Sequence, residues 1–419
     1  AIDDSVAGSI IDGRTRVIFP ETMETRKRSI RQYIRLAVMR NVTAYHFLQR
    51  ARGRSFTRDE ILQIKALELT NKKPWLAPGA GTAVNPRKAQ IVRLLNLPHG
   101  PALLDADTTI ISGGFDWYKN LRALWELKQA RGFSYCAIVY DLIPVRCPHF
   151  VSPGYDKLLT DYFGELAWLA DRVMCISQAT RQEWLRHVHD IGGEPAATST
   201  FPLGSDLSFR IKDASVDLPA ALNGKHFALY VSTIEPRKNH YMLYWAWEEC
   251  IRTKQLDPQR HRLVLVGRQG WAVGDLLHEI RTNPLTRDTI LILHDVGDQQ
   301  LAGLYRHCAF VLFPSMYEGF GLPLAEALGY GKPCLASNAG ALAEIGGDLV
   351  MRLDPKDTLA WSRMISRLMS SPVELKSWGE RISTTYRPIT WDAAARCFFG
   401  ALCEPECDTR HGSMAPTAS

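Results

Sequence analysis

Residues 309 to 337, AFVLFPSMYEGFGLPLAEALGYGKPCLAS, constrain the fold more than any other stretch of this 419-residue chain. AFVLFP is a short apolar run bounded by turn residues, the pattern of a strand buried on both faces. Gly319 and Gly321 follow and permit backbone angles closed to other residues, and Pro323 suits the first position of a helix that continues as LAEALGY. Gly331 and Pro333 stop that helix, and CLAS at 334 to 337 reads as the next strand. Strand, glycine turn, helix, strand is half of a nucleotide-binding parallel sheet. Such a turn presents free backbone N–H groups at the positive end of a helix, where a phosphate is stabilised without a cationic side chain. Glu318 lies in the turn and Glu326, eight positions on, in the first turns of the helix. Carboxylates repel phosphate but accept hydrogen bonds from sugar hydroxyls. The ligand this suggests is a diphosphate with a sugar on each side.

Strand and helix signals alternate along the chain, as an α/β architecture requires. Strands are expected at TRVIFP (15–20), TTIIS (108–112), YCAIVYD (135–141) and RVMCIS (172–177), with helices at 119–130 and 155–169 between them. The pattern lapses over 211–225, IKDASVDLPAALNGK, which reads as a linker. A second series then begins: FALYVS (227–232), HRLVLVG (261–267), TILIL (289–293), VLFP and CLAS. The expected organisation is a Rossmann-like acceptor-side domain over 1–210, the linker over 211–225 and a donor-binding domain over 226–390. A helix over 391–402 crosses back to the first domain, and a loose tail occupies 403–419. Two doubly wound domains in tandem leave a cleft, and the carboxyl ends of the second set of strands should face it.

Net charge is +6, mildly favouring anionic partners, and nine cysteines without a CxxC pair read as reduced thiols in a cytoplasmic protein. No apolar run approaches a membrane span and the N-terminus lacks a signal-peptide pattern, so membrane contact is expected to be peripheral. Arginine is concentrated near the start: between Arg14 and Arg58 there are twelve Lys or Arg against two Glu. On a helical wheel Arg28, Arg31 and Arg35 share one face and Ile30, Ile34, Ala37 and Val38 another. That is the composition of an ordinary domain-surface helix, or of a basic surface that docks on anionic lipid or a lipid diphosphate.

FALYVS runs into TIEPRKNH, which places Arg237 and Lys238 just beyond the carboxyl end of a strand. Arg offers a planar fork for two phosphate oxygens and Lys a compact charge. An Arg-Lys pair alone is common on solvated surfaces; its place after a strand of the same domain as Glu318 favours a diphosphate site over a surface patch. Other chemistries fit less well. A metal-dependent transferase needs a DxD after a strand, and the DAD at Asp105 to Asp107 precedes one. A glycosidase uses two carboxylates but has no use for a basic pair and a phosphate turn. The G-x-G-x-x-G of a dinucleotide oxidoreductase is absent from the opening of the first helix, and SGGFDW at 112–117 reads as a loop. Two alternatives remain: a sugar-nucleotide epimerase, which would act without an acceptor, and a non-enzyme, either a scaffold or a nucleic-acid binder acting through the N-terminal arginines.

STIEPRKN, then VLVG, then the run from DVGDQQ to IGGD occur in order over residues 229 to 348. Together they resemble the donor domain of the family 4 retaining glycosyltransferases of GT-B fold. YDLIPVRCPHF, DRVMCISQATRQEW and FPLGSDL extend the likeness, which covers roughly residues 108 to 400. Within the family the similarity is to bacterial transferases of O-antigen and exopolysaccharide assembly, many of them mannosyltransferases.

The resemblance implies that Glu318 contacts hydroxyls of the donor sugar and Glu326 the nucleotide ribose. It puts Arg237 and Lys238 on the diphosphate, with the backbone of Gly319, Phe320, Gly321 and Leu322 facing the same phosphates. Asp141 points across the cleft from the first domain, while Tyr140 stands where relatives often have His. Ser177 and Thr180 are better read as helix-capping residues. SIRQY at 29–33 replaces a GIGRY-like glycine loop, which removes close backbone approach there. Contacts to the base are expected from Arg268 and from the HDVGD loop, including Val296. The implied reaction is metal-independent, retaining transfer of a hexose, with mannose from GDP-mannose favoured over dTDP-rhamnose or UDP-glucose. The implied acceptor is a glycan or polyprenyl-diphosphate-linked saccharide at the inner face of the cytoplasmic membrane, and no cofactor or nucleic acid is expected.

Overall fold

The structure, a computed structural model, describes residues 16–17, 106–113, 117, 120–211 and 218–403 of the chain. The arginine face at 28–35, SIRQY at 29–33, most of the expected first strand and the tail beyond 403 lie outside the described residues.

Two parallel sheets carry the fold. The first is β1 (Arg16–Val17), β2 (Thr108–Ser112), β3 (Ser134–Val139), β4 (Arg172–Cys175) and β5 (Ala197–Thr200), side by side in that order. The second is built from β6 (His226–Val231), β7 (His261–Val266), β8 (Ile290–Leu293), β9 (Phe310–Phe313), β10 (Cys334–Ser337) and β11 (Val350–Leu353). Its spatial order is β11-β10-β9-β6-β7-β8, every pairing parallel. Strands β9 and β10 are buried at every residue, which is why FVLF and CLAS carry no polar alternation beyond small serines.

From β6 the chain steps outward through β7 to β8, then returns to the other flank of β6 and steps through β9 and β10 to β11. The direction reverses between β6 and β9. At such a reversal the loops after the two strands diverge to opposite faces and leave a crevice at the carboxyl ends. Both chemistry-bearing stretches, EPRK after β6 and SMYEGFG after β9, leave the sheet there.

Expected and observed elements differ mainly at their ends, with YCAIVYD pairing only to Val139 and RVMCIS to Cys175. Strands β5 and β11 escape the sequence pattern. ATST has no apolar residue larger than alanine and is half-buried throughout, and VMRL carries an arginine whose guanidinium donates to the carbonyls of Ser337 and Ile345. Helix Trp391–Cys403 packs on the first sheet, where Trp391 and Phe398 join Cys136, Met174, Phe201 and Leu203. A Cβ on Gly204 would lie 2.5 Å from the Trp391 ring, so only glycine admits this helix at that distance. Among the described residues no helix is long and apolar enough to cross a membrane.

Candidate active site

The turn after β6 is Pro236–Lys238, a single 3-10 turn closed by Asn239 in the left-handed conformation at φ 61°. Asn239 Nδ2 donates to Pro314 O at 3.0 Å and Pro355 O at 2.7 Å, tying the loops after β6, β9 and β11 together. Beneath them Tyr230 Oη donates to Lys238 O at 2.8 Å and meets Ser315 Oγ at 3.1 Å, while Ser337 Oγ donates to Ser315 O at 2.6 Å. The floor of the site is therefore polar, buried and satisfied, as a rigid charge platform requires.

On this platform Arg237, Lys238 and Glu318 meet, although 80 residues separate the pair from the glutamate. Arg237 Nη1 donates to Glu318 Oε2 at 3.0 Å and to Tyr317 O at 2.7 Å, and Lys238 Nζ donates to Glu318 Oε1 at 2.5 Å. The other edge of the guanidinium donates from Nη2 to Glu235 Oε1 at 2.9 Å. Burial alone would raise the Glu318 carboxyl, but Lys238 and Arg237 overcome it and hold it at about 2. Burial likewise opposes the Arg237 charge, and Glu318 and Glu235 more than restore it. Lys238 is pushed below the ordinary lysine value by burial and by Arg237 beside it, and the short bond to an ionised Glu318 keeps the pair ionic.

Glycine brings the first sheet to this cluster. A Cβ on Gly319 would lie 2.6 Å from Tyr140 O and 2.8 Å from Asp141 Cβ. Asp141, just beyond β3, faces Arg237, Glu318 and Lys238, and burial raises its pKa against the pull of Arg237. One oxygen accepts from Ile143 N at 3.0 Å. Gly321, at φ 109°, opens helix Leu322–Gly329 with Pro323 in its first turn. Phe320 and Leu322 turn their side chains into the apolar cluster shared with Cys136, Phe201 and Trp391. Glu326 projects half-buried from that helix and accepts from Tyr305 Oη at 3.4 Å.

Arg268 and Val296 lie on the loops after β7 and β8, at the same end of the sheet but one and two strands further from the switch point. Arg268 contributes its carbonyl to Ile234 N at 2.9 Å, and Val296 packs at the edge of the second core. Ser177 caps helix Gln178–Asp190 by accepting from Thr180 N at 3.0 Å. The Thr180 hydroxyl reaches further, donating to Tyr140 O at 3.2 Å and Gly319 O at 3.4 Å. Three residues that carry the site received no role from the sequence: Glu235, Asn239 and Tyr317. The first two stand inside the quoted STIEPRKN string and Tyr317 sits beside Glu318, so adjacency to a charged motif was the available signal. Among the described residues no cluster of His, Cys, Asp and Glu is arranged to hold a metal ion.

Residues 218–384 match the family described as Glycosyl transferases group 1. The match spans about two fifths of the chain and takes in every strand of the second sheet. Similar curated proteins include the serotype-specific mannosyltransferase WbdA of Escherichia coli, 32% identical over 58% of this chain and 31% of its own length. The O-antigen chain mannosyltransferase B of Escherichia coli is 29% identical over 58% of this chain and 61% of its own. The chain thus spans from 31% to 61% of the length of these relatives. Anabaena HepE, crystallised with UDP and glucose, superposes with a TM-score of 0.58 at 17% identity, covering 76% of this chain and 82% of that one. The two facing sheets are the GT-B fold.

Proposed function

We propose that this protein is a hexosyltransferase of bacterial surface-polysaccharide assembly, moving mannose from GDP-mannose to a glycan or polyprenyl-diphosphate-linked acceptor. The observation that carries this is the convergence of Arg237 and Lys238 on Glu318 at the switch point, beside the N-terminus of helix Leu322–Gly329. Mannose is favoured by the mannosyltransferase relatives; dTDP-rhamnose and UDP-glucose are the competing donors.

Breaking a nucleotide-sugar bond develops positive charge on the anomeric carbon and negative charge on the departing diphosphate. Arg237, Lys238 and the amides of the Gly319–Leu322 turn are placed to stabilise that diphosphate, which supports a metal-independent reaction. Phosphate oxygens entering the cluster compete with Glu318 for Arg237 Nη1 and Lys238 Nζ. The released Glu318 carboxylate is then an acceptor for sugar hydroxyls. Glu326 lies one helical turn on, where the ribose would sit. Asp141 enters from the other side beside Gly319, a polar partner for the sugar or for the incoming hydroxyl. Retention follows if that hydroxyl attacks on the leaving group's own face and gives its proton to a phosphate oxygen. Peripheral contact with an anionic membrane is part of the same proposal and would present the chain to a lipid-linked acceptor.

The test is calorimetry and thermal shift with GDP, UDP and dTDP and their sugars, with and without EDTA. Stabilisation by guanine nucleotides that EDTA leaves unchanged, followed by mannosyl transfer with retained anomeric configuration, is the expected result. Binding of uracil or thymine nucleotides alone replaces the donor, and binding of none overturns the donor site.

A further inference from the structure

Glu235 is buried to 5% exposure beside the cluster, and its carboxylate has no counterpart in the chemistry above. Burying a carboxylate costs several kcal/mol unless it is paired. Lys238 shares Glu318 with Arg237, so Glu235 completes the charge balance of the two cations, but charge balance alone gives no reason for its place on the far edge of the guanidinium.

The geometry supplies one. Glu235 takes the Nη2 edge of Arg237 at 2.9 Å, while Nη1 faces Tyr317 O and Glu318 on the loop after β9. The backbone that carries Glu235 is fixed independently of Arg237. Ile234 N donates to Arg268 O at 2.9 Å and Gly270 N donates to Ile234 O at 2.8 Å, lacing the loop after β6 to the loop after β7. A Cβ on Gly270 would stand 3.2 Å from Glu235 Cβ and 2.7 Å from Ile234 O, so the two loops touch because residue 270 has no side chain. The two edges of the guanidinium are therefore held differently. Nη1 bonds to a carboxylate that must let go when a diphosphate arrives, and Nη2 bonds to one that need not.

We infer that Glu235 is a positioning residue, holding the Arg237 guanidinium in plane so that its Nη1 edge stays aimed at the donor diphosphate while Glu318 exchanges partners. This rests on the donor site proposed above. Glu235 touches no substrate and acts only through Arg237. Because negative charge on the diphosphate grows between the bound donor and the transition state, the effect falls on kcat more than on KM.

The experiment is a double-mutant cycle of Glu235→Gln and Arg237→Lys, reading kcat and KM for transfer, nucleotide affinity by calorimetry and Tm. Glu235→Gln keeps the shape and removes the charge, and is expected to lower kcat about 10- to 100-fold with the donor KM changed less than about threefold. In the Arg237→Lys background the same change should cost less than about twofold, because its route of action is gone. Losses that multiply in the double variant, or a Glu235→Gln protein with wild-type kcat, overturn the inference and leave the donor site standing. Should Glu235→Gln fail to fold, Glu235→Asp keeps the charge, shortens the reach by one methylene and serves in the same cycle. If the unaltered protein binds none of GDP, UDP and dTDP, the donor site fails and the role of Glu235 falls with it.

Discussion

The loops after β6 and β9 and the loops after β3 and β4 face one another, and Glu318 on one side and Asp141 on the other are shifted in opposite directions. On the second sheet Glu318 is driven down to about 2 by Lys238 and Arg237 despite burial. On the first sheet burial wins: Asp141 is raised against Arg237, and Glu183 is raised although Tyr317 donates a hydrogen bond to it. Two carboxylates within reach of the same arginine are thus shifted in opposite directions. The difference is supply: Glu318 accepts hydrogen bonds from two cations, while Asp141 receives one backbone N–H. The surroundings of Glu318 favour its charge, while burial favours a proton on Asp141.

The sharpest way to break this contrast is at Glu318. Glu318→Ala should abolish transfer, a loss of about 1000-fold or more, because it removes the sugar contact and leaves Arg237 and Lys238 with a single shared carboxylate. It should also cost about 3 kcal/mol of stability, as deleting one partner of a buried ion pair does, with the protein still folded at 25 °C. Full activity in this variant would sink the site assignment. Asp141→Asn supplies the opposite arm. Transfer should fall about 100-fold, yet Tm at pH 7 should hold or rise, because the substitution removes a carboxyl whose ionised form is disfavoured where it stands. A parallel drop in Tm would show that Asp141 is ionised and paired like Glu318, and the contrast between the two sides would be lost.

Acid titration separates the same two groups without measuring transfer. Glu318 takes up a proton near 4.5 in the unfolded chain and near 2 in the folded one, so its contribution to stability is complete above pH 4.5 and drains as pH falls toward 2. Asp141 and Glu183 have the reverse sign: their folded values are raised, so the folded state gains as pH falls through them. Tm followed from pH 7 to 3 should therefore flatten or rise before it falls. Glu318→Gln should lose the lower descending limb and keep the upper feature, while Asp141→Asn weakens the upper feature alone. Identical profiles for both variants would remove the basis for assigning the groups opposite signs.

Much of this was legible in the sequence, and the illegible part has a physical pattern. TTIIS and CLAS are strands at their expected bounds, helix Tyr155–Leu169 begins and ends as expected, and Ser177 caps its helix because the hydroxyl precedes an apolar-periodic run. Strands ATST and VMRL were missed because each sits at the edge of its sheet, where half-burial relaxes the demand for apolar side chains. The alternation announced a parallel sheet but not its strand order, and that order is what brings Arg237 to Glu318. Glu235 escaped for a different reason. Its meaning lies in which edge of a guanidinium it holds, and no periodicity encodes that. Tyr317 escaped because its partner, Glu183, belongs to the other sheet.

The smallest expected effect concerns how the two sides are kept together. Glu344, from the short turn Gly340–Glu344 of the second sheet, accepts from Ala179 N at 2.6 Å and Gln178 N at 2.9 Å. It therefore caps helix Gln178–Asp190 of the first sheet from outside, satisfying two of the N–H groups that a helix start leaves unpaired and complementing its dipole. Ser177 caps the same helix from within its own chain segment, so the helix persists when Glu344 is lost and only the clasp is weakened. Glu344→Ala should cost about 1 kcal/mol or less at this exposed position. Because the clasp spans the cleft, that cost should appear as a several-fold rise in the donor KM and in donor hydrolysis without acceptor, as water gains entry, with Tm nearly unchanged. A fall in Tm with unaltered kinetics would make Glu344 an ordinary helix cap, and would place the hold between the two sides on Thr180 and on the Tyr317 to Glu183 hydrogen bond.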